Sequence, residues 1–250
     1  MAMHFARSSI TSSPPVSARL NEATLHWANQ LPSYRRMRYL ASRSLLAELL
    51  FMLYGIKQLP DLELSVSGRP HFSDTTLPDF NIAYAGNIVG VLLAPEGRCG
   101  LDMRLQGHFA PHSQETRSHS YSGNEIIWAN NQLDPNEARS QLCTLRQSVM
   151  KLTETSGESL QLLPISGRLK IEHAPHIETI SDVEDILVWG CAITPGITGL
   201  QLWNFDYDGG WQRLTDIQTR SQTPGSRMIR LTGVSSENVI PYRGLSQRGR

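Results

Sequence analysis

The amino-acid sequence predicts a mixed α/β protein of the α+β type, because helical and strand-like patterns alternate along the chain. Two long segments, 34–54 and 134–155, carry apolar residues at three- and four-residue spacing, which is typical of amphipathic helices. Short apolar runs bounded by glycine, proline and polar residues lie around them, which is typical of strands. Hydrophobic residues make up 40% of the 250 residues and charged residues 18%, so the chain can build a packed core and is not disordered throughout.

Composition also limits the classes of function. The longest apolar run, 45–54, is interrupted by Glu48 and is far shorter than the roughly 20 residues that span a bilayer. The first 20 residues lack the apolar stretch of a secretory signal. The three cysteines, Cys99, Cys143 and Cys191, form neither a metal pair nor an even disulfide set, and the 23 basic residues balance the 23 acidic ones. We therefore expect a cytoplasmic protein with no membrane or nucleic-acid partner.

The N-terminal part divides into a lead-in and a helix. Residues 1–33 show little periodicity, and we predict that they form a loose N-terminal lead-in. The helix that follows has arginines among its apolar positions, and Gly55 stands where a helix C-cap belongs. The polar flank of this helix is therefore basic.

Strand-like runs follow this helix as far as the acidic residue Asp102. The turn Gly68-Arg69-Pro70 separates the first two runs, and a turn at 95–97 joins the next two into an antiparallel hairpin. The second strand of that hairpin ends at Asp102. The predicted strands are 62–66, 80–84, 88–94 and 99–103.

A second helix is predicted with a clear start. Asp134 is placed to act as N-cap, followed by Pro135 at the first helical position and Glu137 at the third. The stripe of leucines and valine on this helix is predicted to be core, while Gln147 and Lys151 are four residues apart on a neighbouring flank that can face a cleft. Further strands are predicted at 160–163, 167–171 and 186–193, then two short strands around a turn after Trp203, and a basic tail.

Six short motifs in one order carry the chemical information. They are Ala41-Ser42-Arg43-Ser44-Leu45-Leu46, Gly68-Arg69-Pro70-His71-Phe72, Phe80-Asn81-Ile82-Ala83-Tyr84-Ala85-Gly86, Gly100-Leu101-Asp102-Met103-Arg104, Tyr121-Ser122-Gly123-Asn124-Glu125 and Cys143-Thr144-Leu145-Arg146-Gln147-Ser148-Val149-Met150-Lys151. In this order they resemble the 4'-phosphopantetheinyl transferases of the large type that activate surfactin and enterobactin synthetases. The resemblance covers residues 35–193.

The resemblance implies a fold and a division of the chain. It implies a pseudo-twofold pair of similar halves, each a small, mainly antiparallel sheet packed with a long helix, with the ligand cleft between them. The expected boundaries are a lead-in at 1–33, a first half at 34–105, a second half at 106–200, and a C-terminal extension with a basic tail at 201–250. Because both halves lie in one chain, we expect a monomer.

The resemblance also implies an activity. Such enzymes move the phosphopantetheine arm of coenzyme A to a serine of an acyl or peptidyl carrier protein, with Mg²⁺ holding the pyrophosphate. The implied catalytic residues are Asp102, Gln147 and Lys151, of which Asp102 and Gln147 would hold the metal. The residues implied to bind coenzyme A are Arg43, Arg69, Pro70, Tyr84, Arg104 and Lys151.

This sequence departs from the pattern at three of those positions. Arg104 and Gln147 replace two of the three expected metal carboxylates, and Tyr84 replaces a histidine. An arginine cannot ligate magnesium, and a glutamine carbonyl has no useful basicity. Two possibilities follow: transfer with fewer anions, in which Arg104 supplies charge compensation, or a catalytically impaired paralogue that binds coenzyme A or carrier protein without efficient transfer.

Taken singly, these residues also have simpler explanations. Asp102 is equally placed to be a strand-end acid that caps the following turn, and Lys151 alone on a helix flank would be solvated. Glu125 has the position of a capping-box residue. Gly68 and its neighbours form a turn whether or not they contact a phosphate.

Overall fold

The computed structural model describes residues 2–11, 16–106, 121–155, 160–171, 176–197, 199–223 and 225–234. Its helices are α1 (Glu22–Asn29), α2 (Ser33–Tyr54), α3 (Gly123–Asn130), α4 (Pro135–Thr153) and α5 (Ile217–Gln222), with a 3-10 turn at Pro164–Ser166. Its strands are β1 (Met3–Ser9), β2 (Leu62–Leu64), β3 (Pro70–Phe72), β4 (Asp79–Ala85), β5 (Ile88–Ala94), β6 (Arg98–Leu105), β7 (Gln161–Leu163), β8 (Arg168–Lys170), β9 (Glu178–Glu184), β10 (Leu187–Thr194), β11 (Leu200–Asp206), β12 (Gly210–Arg213) and β13 (Ile229–Val234).

The strands form two large sheets and a small pair. The five-stranded sheet has the order β12-β11-β1-β5-β4, the six-stranded sheet has the order β6-β10-β9-β13-β8-β7, and β2 pairs with β3. Pairing is antiparallel except between β1 and β11 and between β13 and β8. The predicted α+β class is confirmed.

The order of elements repeats along the chain. A long helix, two short strands and three long strands run from α2 to β6, and the same order runs from α4 to β11. In each repeat the first two long strands pair as a hairpin, and the third enters the other repeat's sheet. Thus β6 pairs with β10, and β11 lies in the sheet of β5. The repeat agrees with two similar halves, interlocked by exchange of their third strands.

Three apolar clusters fill the space between these layers. One lies between the two sheets and includes Phe5, Leu101 and Trp189. A second packs α2 on the five-stranded sheet, and a third packs α4 on the six-stranded sheet. The predicted core stripe of α4 is fully buried in this third cluster and consists of Leu142, Leu145, Val149 and Leu152. Among the described residues, no helix has the length and apolar character needed to cross a bilayer.

The helix boundaries follow the predicted signals. Gly55 ends α2 with a left-handed φ of 69°. Asp134 caps α4 by accepting hydrogen bonds from the backbone N–H groups of Asn136 and Glu137. The helix ends before Glu154, which itself adopts the left-handed conformation (φ 56°).

The prediction of a loose lead-in at 1–33 was wrong where the structure describes that segment, and the described part of 201–250 belongs to the sheets rather than forming an extension, although the two short strands predicted in it are present. The lead-in at 1–33 contains β1, which lies between β11 and β5 in the five-stranded sheet, and α1, which Asn21 caps. The extension at 201–250 contains most of β11 together with β12 and β13, all of them members of the two large sheets. Its last 16 residues, and most of the loop from 106 that opens the predicted second half, lie outside the described residues.

Candidate functional site

A cleft of about 420 Å³ lies between the β2–β3 turn, β4 and the C-terminal end of α4, and we name it the lysine cleft. It joins side chains from both halves, as the sequence predicted for Arg69, Gln147 and Lys151. Its lining residues are Ser67, Gly68, Arg69, Pro70, Asn81, Ile82, Gln147, Met150, Lys151, Glu154 and Thr155.

A glycine in β6 lets α4 lie close enough to build this cleft. A Cβ atom at Gly100 would lie 2.0 Å from the backbone carbonyl oxygen of Ser148, so any larger residue would push the helix off the strand. The close approach brings the ammonium of Lys151 to the middle of β6, because the strand continues to Leu105 and does not end at Asp102 as predicted. Its Nζ donates to the carbonyl oxygen of Leu101 and to Oδ1 of Asp102, both at 2.8 Å.

Asp102 carries a positive group on each carboxylate oxygen. Oδ1 accepts from Lys151, and Oδ2 accepts from Nε of Arg104 at 3.3 Å. Arg104 stands two residues further along β6 and therefore on the same face of the strand. The Asp102 side chain is only 13% exposed, so solvent screens these ion pairs less than it screens surface pairs. Formal charges give this trio a net charge of plus one.

Arg69 is tied to protein groups. Its guanidinium forms a salt bridge with Asp79 and donates to the carbonyl oxygens of Phe80 at 3.0 Å and Cys99 at 2.9 Å. These partners lie on β4 and β6, so the described contacts give Arg69 a structural role. They hold the β2–β3 turn against β4 and β6 beside the lysine cleft. Its predicted contact with a phosphate stays a prediction.

Arg43 lies in a second cleft, which has a volume of about 610 Å³ and which we name the arginine cleft. Its lining residues are Asn21, Ala23, Thr24, Trp27, Tyr39, Arg43, Asp61, Leu62, Glu63, Leu64, Pro70 and Ser73. Pro70 lines both clefts, so the two adjoin at this residue.

The guanidinium of Arg43 is buried without a counter-ion among the described residues. Arg43 is 8% exposed, and its Nη1 donates to the hydroxyl of Ser42 at 3.2 Å. Its Cζ lies 4.6 Å from the centre of the Tyr39 ring, and its Nε has no hydrogen-bond partner in the described part of the chain. A buried cation normally has a paired anion, so the lack of one at Arg43 among the described residues is unusual, even though Asp61 and Glu63 line the same cleft.

Tyr84 is not brought into either cleft. Its hydroxyl donates to the backbone carbonyl oxygen of Arg38 at 3.1 Å, and the Arg38 guanidinium lies 4.7 Å from the centre of its ring. The structure thus uses Tyr84 to hold β4 against α2. Its predicted contact with the coenzyme stays a prediction.

Glu154 closes one side of the lysine cleft, and sequence reasoning missed it. Its carboxylate accepts hydrogen bonds from the hydroxyls of Ser65, at 2.6 Å, and Ser67, and it pairs with Arg98. These hydroxyls and the arginine lower the pKa of Glu154 to about 2. The residue joins the end of α4 to the β2–β3 turn, two segments that no local sequence pattern relates.

Glu125 has the capping role that its position suggested. It completes a capping box with Ser122 at the start of α3 and is 1% exposed. Arg146 of α4 forms a salt bridge with it. This buried pair fastens α3 to α4 and is structural.

The side chains around Asp102 fit a magnesium ion poorly. Magnesium prefers several hard oxygen ligands in a strict octahedron. In the part of the chain that the structure describes, no group of three His, Cys, Asp or Glu side chains could hold a metal ion. The one carboxylate at the predicted position is already paired with Lys151 and Arg104, and Gln147 offers only an amide oxygen.

Comparison with known proteins shows the family. The chain is 49% identical over 244 residues to the uncharacterized protein YieE of Escherichia coli strain K12, a match that covers 94% of this chain and 97% of that protein. The chain belongs to the YieE family. The YieE protein of Escherichia coli O6:H1 strain CFT073 has the same identity and coverage. No protein-family model matches the chain.

A second similarity concerns a shorter segment. This chain is 34% identical over 71 residues to the 4'-phosphopantetheinyl transferase AcpT of Escherichia coli O157:H7. The match covers 28% of this chain and 33% of that protein. The segment therefore resembles part of a 4'-phosphopantetheinyl transferase.

Proposed function

We propose that the protein transfers the 4'-phosphopantetheine arm of coenzyme A to a serine of an acyl or peptidyl carrier protein. The observation that carries the proposal is the buried guanidinium of Arg43, which lacks a counter-ion among the described residues, in a cleft that adjoins the cleft of Lys151. The similarity of a segment to AcpT supports the same reaction.

Coenzyme A carries phosphate groups at two places, and each of the two adjoining clefts offers a basic side chain to one of them, although Asp61 and Glu63 also line the arginine cleft. It carries a 3'-phosphate on its ribose and a pyrophosphate further along the molecule. We assign the first phosphate to Arg43 in the arginine cleft and the pyrophosphate to Lys151 in the lysine cleft, with Pro70 between them. Charge-assisted hydrogen bonds to phosphate are roughly twice as strong as neutral ones, so these two contacts would dominate affinity.

The reaction needs a proton acceptor and charge compensation. The carrier serine oxygen attacks the β-phosphorus of coenzyme A, a new P–O bond forms, and the bond to the bridging oxygen breaks to release adenosine 3',5'-bisphosphate. We assign the serine proton to the carboxylate of Asp102 and the stabilisation of the phosphoryl oxygens to the ammonium of Lys151. Because the donor set around Asp102 fits magnesium poorly, no step here passes through a metal ion.

The test is the mass of an apo carrier protein after incubation with coenzyme A and this protein. A gain equal to the phosphopantetheine group is expected, and Lys151→Met should abolish most of it. Lys57→Met, which removes an exposed lysine that lines neither cleft, is the matched control and should retain full transfer. An unchanged carrier mass with wild-type protein would contradict the proposal.

A second candidate is a paralogue that binds coenzyme A or carrier protein without efficient transfer. The replacement of two expected carboxylates by Arg104 and Gln147 favours it, since losing such groups usually lowers phosphoryl-transfer rates by orders of magnitude. Calorimetric binding of coenzyme A with no change of carrier mass would select this candidate. In either case both clefts lie within one chain, and we propose that a monomer in the cytoplasm is the active form.

A further inference from the structure

The carboxylate of Asp102 has an ammonium on one oxygen and a guanidinium on the other. We propose that this site handles the pyrophosphate of its ligand without a divalent metal ion, with Lys151 and Arg104 supplying the positive charge. The inference rests on the proposed function, because it concerns the same reaction at the same site.

The side chains around Asp102 disfavour a divalent ion there. A divalent ion at this carboxylate would stand beside two positive side chains, one 2.8 Å and one 3.3 Å from the oxygens it needs. Repulsion between like charges is strong in a partly buried site, where the effective dielectric constant is far below that of water. A metal ion bound there would have to share both oxygens with these cations, at a cost in electrostatic repulsion.

Two other carboxylates near the lysine cleft, those of Glu154 and Asp79, are already paired with cations. Glu154 is held by Arg98 and by two serine hydroxyls. Asp79 is paired with Arg69 and also accepts from the backbone N–H of Cys99 at 2.8 Å. Each of these acidic side chains thus already has a cationic partner, and none is left to complete an oxygen shell around a magnesium ion at Asp102.

Lys151 is placed where its ammonium can contact a ligand in the lysine cleft. An ammonium group has three donors, and the described contacts use two of them, on Leu101 and Asp102. The Lys151 side chain is 34% exposed and lines the lysine cleft. Its third donor is therefore available to a phosphate oxygen, while the first two fix the group in position before a ligand arrives.

The net charge of Asp102, Lys151 and Arg104 would also become more positive as negative charge develops on the leaving group. Before transfer, Asp102, Lys151 and Arg104 sum to plus one. As the serine Oγ bonds to the β-phosphorus, its proton moves to Asp102 and the trio becomes plus two. The P–O bond to the leaving phosphate breaks at the same stage, and the electron pair stays on adenosine 3',5'-bisphosphate. Positive charge thus appears beside the leaving group as negative charge develops there.

The experiment compares wild-type protein in excess EDTA and in millimolar magnesium, by carrier mass and by calorimetry with coenzyme A. We expect transfer rates within about threefold of each other and affinities within about twofold. Transfer that occurs with magnesium, disappears in EDTA and returns on adding magnesium would overturn the inference while leaving the proposed function intact.

An absence of transfer in both solutions would contradict the proposed function instead. In that case the inference is tested only by the calorimetric affinity for coenzyme A, measured in EDTA and in magnesium. Equal affinity in EDTA and magnesium supports it, and affinity that requires magnesium overturns it.

Two variants sharpen the test. Arg104→Gln should lower transfer by about tenfold to the same extent in EDTA and in magnesium, because a cation is lost and no metal ligand is gained. Arg104→Glu combined with Gln147→Glu places two new carboxylates near Asp102 and should make transfer depend on magnesium. Arg168→Gln, an exposed arginine on β8, is the charge-matched control. An Arg104→Gln variant with unchanged transfer would overturn the role of this guanidinium.

Discussion

Replacing Arg43 by methionine separates a ligand-binding arginine from a structural one. The substitution keeps most of the unbranched aliphatic stem in the arginine cleft and removes the charge. It also removes the buried Nε that lacks a partner among the described residues. If the guanidinium serves an outside anion, the variant should keep its stability and lose affinity for coenzyme A.

The structure sets the size of both effects. Relief of a buried unsatisfied donor is worth about 1–3 kcal/mol. Against this stand the loss of the hydrogen bond to Ser42, about 1 kcal/mol, and of the contact with the Tyr39 ring, about 0.5–1 kcal/mol. The free energy of unfolding should therefore change by no more than about 1.5 kcal/mol in either direction. A lost charge-assisted contact of about 1.5–3 kcal/mol should weaken coenzyme A binding by about 10- to 150-fold.

Arg146→Met is the matched comparison. It leaves Glu125, 1% exposed, without its salt-bridge partner, and such a loss costs about 3–5 kcal/mol of stability. Urea unfolding gives the free energy of unfolding of each variant, and calorimetry gives the affinity of each variant for coenzyme A. An Arg43→Met protein that is destabilised by more than about 3 kcal/mol and binds coenzyme A normally would refute the reasoning.

The remaining predictions concern the closure of the lysine cleft and the packing beneath it. Glu154→Gln should lower the free energy of unfolding at pH 7 by about 2 kcal/mol, because charge-assisted hydrogen bonds to Ser65, Ser67 and Arg98 are weakened. Since the folded pKa is lowered to about 2, this contribution is complete above pH 4.5 and is lost as the pH falls towards 2. Urea midpoints of wild type and variant should therefore converge in acid, whereas Glu96→Gln, on an exposed turn, should show no comparable difference at any pH. Gly100→Ala should destabilise the protein by about 3 kcal/mol, because the new methyl group would overlap the carbonyl of Ser148. Gly123→Ala is the control, because a Cβ at this position meets nothing within 4 Å, and it should be neutral or mildly stabilising. Thermal unfolding gives the melting temperature of each variant. A lower melting temperature for Gly123→Ala than for Gly100→Ala would contradict the account.

The sequence predicted best what local chemistry determines. The start of α4 at Asp134 and the end of α2 at Gly55 depend on residues a few positions away, and both were confirmed. The structure also brings Asp102 and Lys151 together in an ion pair, although 49 residues of sequence separate them, and only the order of the motifs had indicated that they would meet. What could not be predicted from the residues themselves was pairing between distant segments. Strand β1 finds its partners at 88–93 and 200–204, so its seven residues gave no strong signal alone.

In the candidate site, too, the sequence motifs indicated which residues matter but not which distant residues they contact. Arg69 belongs to a motif, yet its partners on β4 and β6 are fixed by the fold and give it a structural role that the motif does not indicate. Glu154 meets Ser65 and Ser67 across 89 and 87 residues of sequence, and no pattern relates them. The same holds for Arg43, because whether a guanidinium has a counter-ion depends on every segment that packs around it.

The most direct test of the central claim is the mass of an apo carrier protein incubated with this protein and coenzyme A. The account predicts that the carrier gains the mass of one phosphopantetheine group, that adenosine 3',5'-bisphosphate appears in equal amount, and that Lys57→Met transfers as wild type does while Lys151→Met does not. A carrier of unchanged mass, together with no calorimetric binding of coenzyme A, would contradict it.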